Sequence, residues 1–155
     1  MLKHLPMEEA RQALLDKIKP LESEVLPSME AIGRILAADI IAPHDIPPYQ
    51  QAAMDGFAVS FMEEQSERFL IKMNLEAGEV PNFTLEPGEA AGVLTGGHIP
   101  QGTTAVIRQE DVSIIGDFIA VKKVSDNNNI RSQGEDFRSG SVIARSGTRI
   151  TPGLI

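Results

Sequence analysis

The chain of 155 residues has no cysteine, no tryptophan and a single tyrosine. Without cysteine there is no disulfide framework, no thiolate metal site and no cysteine nucleophile, and the chain suits a reducing compartment. One tyrosine leaves few platforms on which bases could stack. Basic residues are outnumbered as well: 14 Lys and Arg against 22 Asp and Glu give a formal charge of −8. Nucleic-acid binders carry the opposite balance, a basic stripe that releases counterions from phosphates. Nucleic acid is therefore not an expected partner. A membrane is not expected either, because no apolar run approaches the roughly 20 residues of a spanning helix. The N-terminal stretch MLKHLPMEEARQ also lacks a signal-peptide core. A cytoplasmic protein is expected, long enough to bury the core of one ordinary domain or two small ones.

Residues 6–19 read as a helix. Pro6 suits the first turn, Glu8 and Glu9 favour its N-terminal dipole, Lys17 and Lys19 its C-terminal end, and Pro20 stops it. Met7, Ala10, Leu14 and Ile18 share one face, with Ala13 and Leu15 beside them, so this helix needs something to pack on. A second, shorter helix is expected after Pro27, with Ser28 as N-cap and Ile32, Ile35 and Leu36 on its buried side. From residue 40 the text changes to short apolar runs separated by turn signals: DII, FAVSF, RFLIKM, AAGVLT, TAVIRQ, VSIIGDFIAVKKV, SVIAR and TRI. Gly116-Asp117 is placed for a two-residue hairpin turn between Ile115 and Phe118. The fold class expected is mainly β with N-terminal helices (α+β), its turns spaced as in a sandwich or barrel. The polar segment 125–141 is long for a hairpin loop. The chain closes on GTRITPGLI, as though a helix began after Pro152.

Three stretches carry candidate chemistry. Asp55 sits in AMDGF, where Asp-Gly between alternating hydrophobics favours a hairpin turn. The preceding Pro47-Pro48 and Gln50-Gln51-Ala52-Ala53 do not read as the partner strand. In LTGGHIPQG, Thr95, Gly96 and Gly97 follow an apolar strand, so their amides could form an anion nest or simply a glycine turn. In NIRSQGEDFRSG, Arg131, Glu135, Asp136 and Arg138 surround Gly134, either as a self-compensating charged loop or as carboxylates able to hold Mg²⁺. Glu110-Asp111 reads as a strand end. His4, His44 and His98 show no ligand spacing, so zinc is not expected, and no Ser-His-Asp grouping can be assembled.

The order of these pieces is more specific than any one of them. LESEVLPSMEAIGRILAADIIAPHDIPP, AMDGFAV, LTGGHIPQGTTAVIRQEDV and NIRSQGEDFRSGSVIARSGTRI follow one another from about Glu8 to Ile155. In sequence and spacing this chain resembles the N-terminal region of the molybdopterin molybdenumtransferase family, MoeA in bacteria and the E domain of gephyrin in animals. The resemblance implies a cytosolic, elongated homodimer in which this region is an arm of two small β-rich domains, one barrel-like. It implies an N-terminal helix over residues 1–20, a discontinuous domain I from residues 21–41 plus 141–155, and a domain II from residues 42–140. The implied reaction hydrolyses adenylylated molybdopterin and inserts molybdate into its dithiolene, with Mg²⁺ as cofactor and molybdopterin adenylyltransferase as the upstream partner. Carried over residue by residue, Asp55 and Asp136 are the functional acids and metal ligands. Thr95, Gly96, Gly97, Arg131 and Glu135 are the substrate-binding residues.

The match has two departures. Where the family reads P-x-F-D-N-S before A-M-D-G, this chain has Pro48-Tyr49-Gln50-Gln51-Ala52, which alters substrate contacts at Gln50 to Ala52 and leaves Asp55 in place. The family's α/β domain and final β domain have no counterpart here, so a fragment of a longer protein, inactive alone, is expected. The alternative is a non-catalytic module that uses the same arm for dimerisation or partner binding.

Overall fold

The computed structural model describes residues 6–61, 67–123 and 127–155. His4, Val124 and the first two residues of the polar segment 125–141 lie outside the described residues. The chain divides into two compact units, one holding the described residues up to Asp39 together with Arg145–Ile155, the other Ile40–Ala144.

In the first unit, the expected helix forms but is short. Helix α1 spans Met7–Leu15, with Pro6 at its N-cap and Glu8 and Glu9 in its first turn. It ends early because Lys17 and Ile18 bond back to Leu14 and Leu15, three residues away, which tightens the last turn. Lys17 and Lys19 thus lie beyond the helix whose dipole they were expected to complement. No residue of α1 is buried. The second expected helix is a single 3-10 turn, Ser28–Ala31, and Pro27 rather than Ser28 stands at its N-cap. The reason is competition from non-local pairing. The amides of Gly33 and Leu36 donate to the carbonyls of Ile150 and Thr148, and the amide of Ile150 returns to Arg34, so the chain opens into a ladder before another helical turn can close. Ile32 and Ile35 consequently remain exposed. The helix expected after Pro152 is likewise one 3-10 turn, Pro152–Leu154.

Among the described residues, the unit Ile40–Ala144 holds ten strands. Strand β1 (Ile40–Ile41) pairs with β10 (Val142–Ala144), and β2 (Gln51–Ala52) pairs with β9 (Ile130–Arg131). The remaining six are β3 (Gly56–Val59), β4 (Arg68–Asn74), β5 (Glu89–Val93), β6 (Ala105–Arg108), β7 (Val112–Ile115) and β8 (Phe118–Val121). They form one sheet in the order β6-β3-β5-β4-β8-β7, antiparallel except for β4 beside β5. Ile115 faces Phe118 across Gly116-Asp117, as the local turn rule predicts.

The two edge strands β6 and β7 are consecutive in sequence, joined by a 3-10 turn over Gln109–Asp111. Such a short link between opposite edges requires the sheet to curl into a half-barrel. An Arg108–Asp111 ion pair of 2.6 Å spans the corner. Phe57, Val59, Phe69, Ala90, Ile107, Val112 and Ile119 form one buried cluster, drawing residues from both edges, and so fill the inside of the curl. The other face packs Ala58, Ala91, Val93 and Val106 beneath Ala52, Leu75 and Leu85, with Ile99 and Ile130 alongside. With both faces covered, β3 is buried at every position, and Gly-Phe-Ala-Val shows no polar alternation.

Candidate functional site

Strand β2 brings the three candidate stretches together. On one side Gln51 faces Arg131 and Ala52 faces Ile130. On the other, Gln51 bridges to His98, the Ala52 amide donates to the Gly97 carbonyl at 3.0 Å, and the Gly96 amide donates to the Ala52 carbonyl at 2.9 Å. Ala52 is 1% exposed and packs into the apolar cluster with Ala58, Ala91, Val93 and Val106. The Ala53 amide then donates to Asn129, whose side-chain amide donates to the Val106 carbonyl at 2.8 Å. Asp55 therefore follows a segment tied on both sides.

The Asp-Gly pair is not a hairpin turn. Asp55 closes a bend, and Gly56 is the first residue of β3, paired with Val93 on one side and Arg108 on the other. A Cβ at Gly56 would run into the Ile107 carbonyl oxygen, so the glycine is required by close strand approach rather than by turn geometry.

Asp55 and Thr95 are in direct contact. The Asp55 Oδ1 accepts from the Thr95 hydroxyl at 2.6 Å and from the Thr95 amide at 2.8 Å. The hydroxyl first, and the amide second, hold the Asp55 carboxyl below the usual carboxylate range. Exposed to solvent and doubly hydrogen-bonded, it is an anion at neutral pH, fitted to accept a proton or orient a hydroxyl. Of the two readings of this loop, the glycine turn describes it and the anion nest does not. The amides of Thr95, Gly96 and Gly97 already donate to Asp55, Ala52 and Leu94.

A second cluster lies on the loop after β9. Arg131 Nη2 donates to both oxygens of Asp136 at 2.7 Å, and its Nε lies 3.5 Å from Glu135 Oε1. Asp136, above all, raises the affinity of the guanidinium for its proton. Glu135 also accepts from the Ser132 amide at 3.0 Å. Among the described residues, no group of three or more His, Asp or Glu side chains is placed to hold a metal ion. Asp136 is paired with Arg131, and Asp55 has Oδ1 bonded to Thr95 while no hydrogen bond or ion pair among the described residues engages its Oδ2. Glu110-Asp111, read as a strand end, lies in the 3-10 turn at the corner of the sheet.

Sequence reasoning missed Tyr49, Asp45 and Asn129. Tyr49 stacks on His98 with ring centroids 3.4 Å apart and donates its hydroxyl to the Gly96 carbonyl at 3.4 Å, bracing the loop that presents Thr95. No spacing rule connects the two rings. Asn129 is the only non-glycine among the described residues with positive φ, at 53°, and sits in a run of three asparagines that could have flagged it.

The family described as MoeA N-terminal region (domain I and II) matches residues 5–155. The chain belongs to that family. It is 36% identical over 154 residues to a molybdopterin molybdenumtransferase of Haemophilus influenzae, an alignment covering 96% of this chain and 38% of the relative. It is 32% identical over 161 residues to the protein of that name in Bacillus subtilis, covering 97% and 37%. A crystal structure of the molybdopterin biosynthesis MoeA protein of Pyrococcus horikoshii superposes with a TM-score of 0.85 at 39% identity, over 97% of this chain and 42% of that one. The chain thus spans about two fifths of the length of these MoeA relatives. The mainly β architecture of the described residues, with one α-helix and a curled half-barrel sheet, matches the superposed part of the MoeA structure. No helix among the described residues is long and apolar enough to cross a membrane.

Proposed function

We propose that this chain is the arm of a molybdopterin molybdenumtransferase, contributing acids to the insertion of molybdate into adenylylated molybdopterin bound by a further domain. The observation that carries this reading is the pairing of Asp55 with Thr95 across two separate stretches that each match the family. An ionised, solvent-facing carboxylate with one oxygen pinned presents its acceptor in a fixed direction, which is what positioning a reacting hydroxyl or water requires. Arg131 supplies guanidinium N–H donors beside the substrate, with Asp136 and Glu135 orienting them. Asp55 and Asp136 are the acids assigned to the reaction, with Thr95, Gly96, Gly97, Arg131 and Glu135 beside the substrate. Asp55 and Asp136 are the two carboxylates of this chain that would hold Mg²⁺, each able to supply oxygen ligands to a site completed by other groups.

The test is Asp55→Asn in the full-length enzyme. Asparagine still accepts from Thr95, so the fold is retained while molybdate insertion falls by about a hundredfold or more; insertion at the unsubstituted level would overturn the assignment. Homodimerisation, and delivery of substrate by a molybdopterin adenylyltransferase, belong to the same proposal. The exposed apolar side chains Met7, Leu14, Ile18, Leu21 and Val25 support a role for the first unit in subunit contact.

A further inference from the structure

Asp45 lies two residues before Pro47, in neither of the clusters above, yet both of its carboxylate oxygens are engaged. Oδ1 accepts from the backbone amide of Ser139 at 2.8 Å, and Oδ2 accepts from the side-chain amide of Gln133 at 2.9 Å. These two donors lie at opposite ends of the loop that carries Glu135 and Asp136. Between them the backbone of the same segment is gripped again: the Gly134 amide donates to Pro47, the amides of Asp136 and Phe137 donate to Ile46, and Ile46 returns its own amide to Phe137 at 2.7 Å. Gly134 is buried with φ at 69°, and a Cβ there would lie 3.4 Å from the Asp45 carboxyl carbon. Loop and carboxylate are thus in van der Waals contact, and the positive φ favours glycine there.

We propose that Asp45 is a positioning residue that fixes the 133–139 loop and thereby the direction in which Asp136 holds Arg131. An acidic side chain suits this place because charge-assisted acceptors bind amide donors more strongly than neutral ones, and a carboxylate offers two oxygens for two donors. Asp45 itself contacts no other acid or base of the two clusters in the hydrogen bonds and ion pairs of the described residues. Its influence passes through the backbone. The inference rests on the functional reading above only for why the orientation of Arg131 and Asp136 matters; the geometry of the clamp is independent of it.

Amide hydrogen exchange on this chain tests the clamp directly. In Asp45→Ala, exchange at Gly134, Asp136, Phe137 and Ser139 is expected to speed up by about tenfold or more, while amides of Phe57 to Val59 and Ala90 to Val93 keep their protection. In Asp45→Asn, one oxygen still accepts from Ser139 and the side-chain amide can pair with a flipped Gln133, so exchange is expected to stay within about threefold of the unsubstituted chain. Unchanged loop exchange in Asp45→Ala would overturn the proposal. Equal acceleration in the loop and in the sheet would also overturn it, by making Asp45 a general stability residue. Exchange is read without substrate, so its outcome does not depend on whether the chain serves molybdate insertion; failure of Asp55→Asn to lose activity would leave the clamp standing.

Discussion

The two units of the chain are built on different terms. Every buried apolar side chain among the described residues belongs to Ile40–Ala144, where Phe69, Leu85, Ile119, Val59 and Val106 are almost wholly enclosed. The other unit buries none of its large apolar residues fully and exposes most of them: Met7 is 86% exposed, Leu21 96% and Val25 99%. What holds that unit is backbone pairing between residues 33–36 and 147–150, together with the Ser146 amide donating to Asp39 at 2.7 Å. Backbone hydrogen bonds exposed to water add little net stability, whereas burial of apolar area adds most of it. The candidate site sits in the unit that has a core. A loop that must aim side chains within fractions of an ångström needs a packed sheet behind it.

Substitutions on the two sides should therefore diverge. The largest effect is expected from Phe69→Ala, which empties the inside of the half-barrel and should cost about 3–5 kcal/mol in urea unfolding followed by circular dichroism. A loss below about 1 kcal/mol would mean that the curl is not the stabilising core. Thr95→Val should leave the fold intact but raise the Asp55 midpoint toward the ordinary carboxylate value, read from the carboxyl carbon by NMR titration. The sign follows from linkage. A carboxyl whose folded pKa is depressed contributes stability that is present above its unfolded value of about 3.9 and is lost as pH falls through the folded one. Without the Thr95 hydroxyl that contribution shrinks, so acid unfolding should begin at higher pH. An unmoved midpoint would mean the hydroxyl does not bond Asp55 in solution. The smallest effect is expected from Leu14→Ala on α1, less than about 0.5 kcal/mol in this chain. A large loss there would show that the helix already has a packing partner, and the contrast between the units would fail.

Local rules read some of this correctly. Gly116-Asp117 turns where such a dipeptide should, because a two-residue hairpin is decided by its own φ values and its immediate flanks. Pro6 with Glu8 and Glu9 marks the start of α1 for the same reason. The same rules misassigned Asp55-Gly56 and the helix after Pro27. In both places a strand distant in sequence competes for the backbone: β6 and β5 claim Gly56, and residues 147–150 claim residues 33–36. Asp45 carried no signal at all, since its partners Gln133 and Ser139 lie far along the chain.

The sequence by itself determined the class of the molecule and pointed to its candidate site residues. Composition excluded cysteine chemistry, turn residues marked the strands, and the order of AMDGF, LTGGHIP and GEDFRSG singled out Asp55, Thr95 and Asp136. Only the tertiary structure decided what those acids bond to. Thr95 spends its donors on Asp55 rather than on an anion, Asp136 is occupied by Arg131, and Asp45 clamps the loop that carries Asp136. Hydrogen-bond partners are set by which loops the sheet brings within about 3 Å of one another. That proximity depends on register and curl, which no stretch of sequence contains on its own.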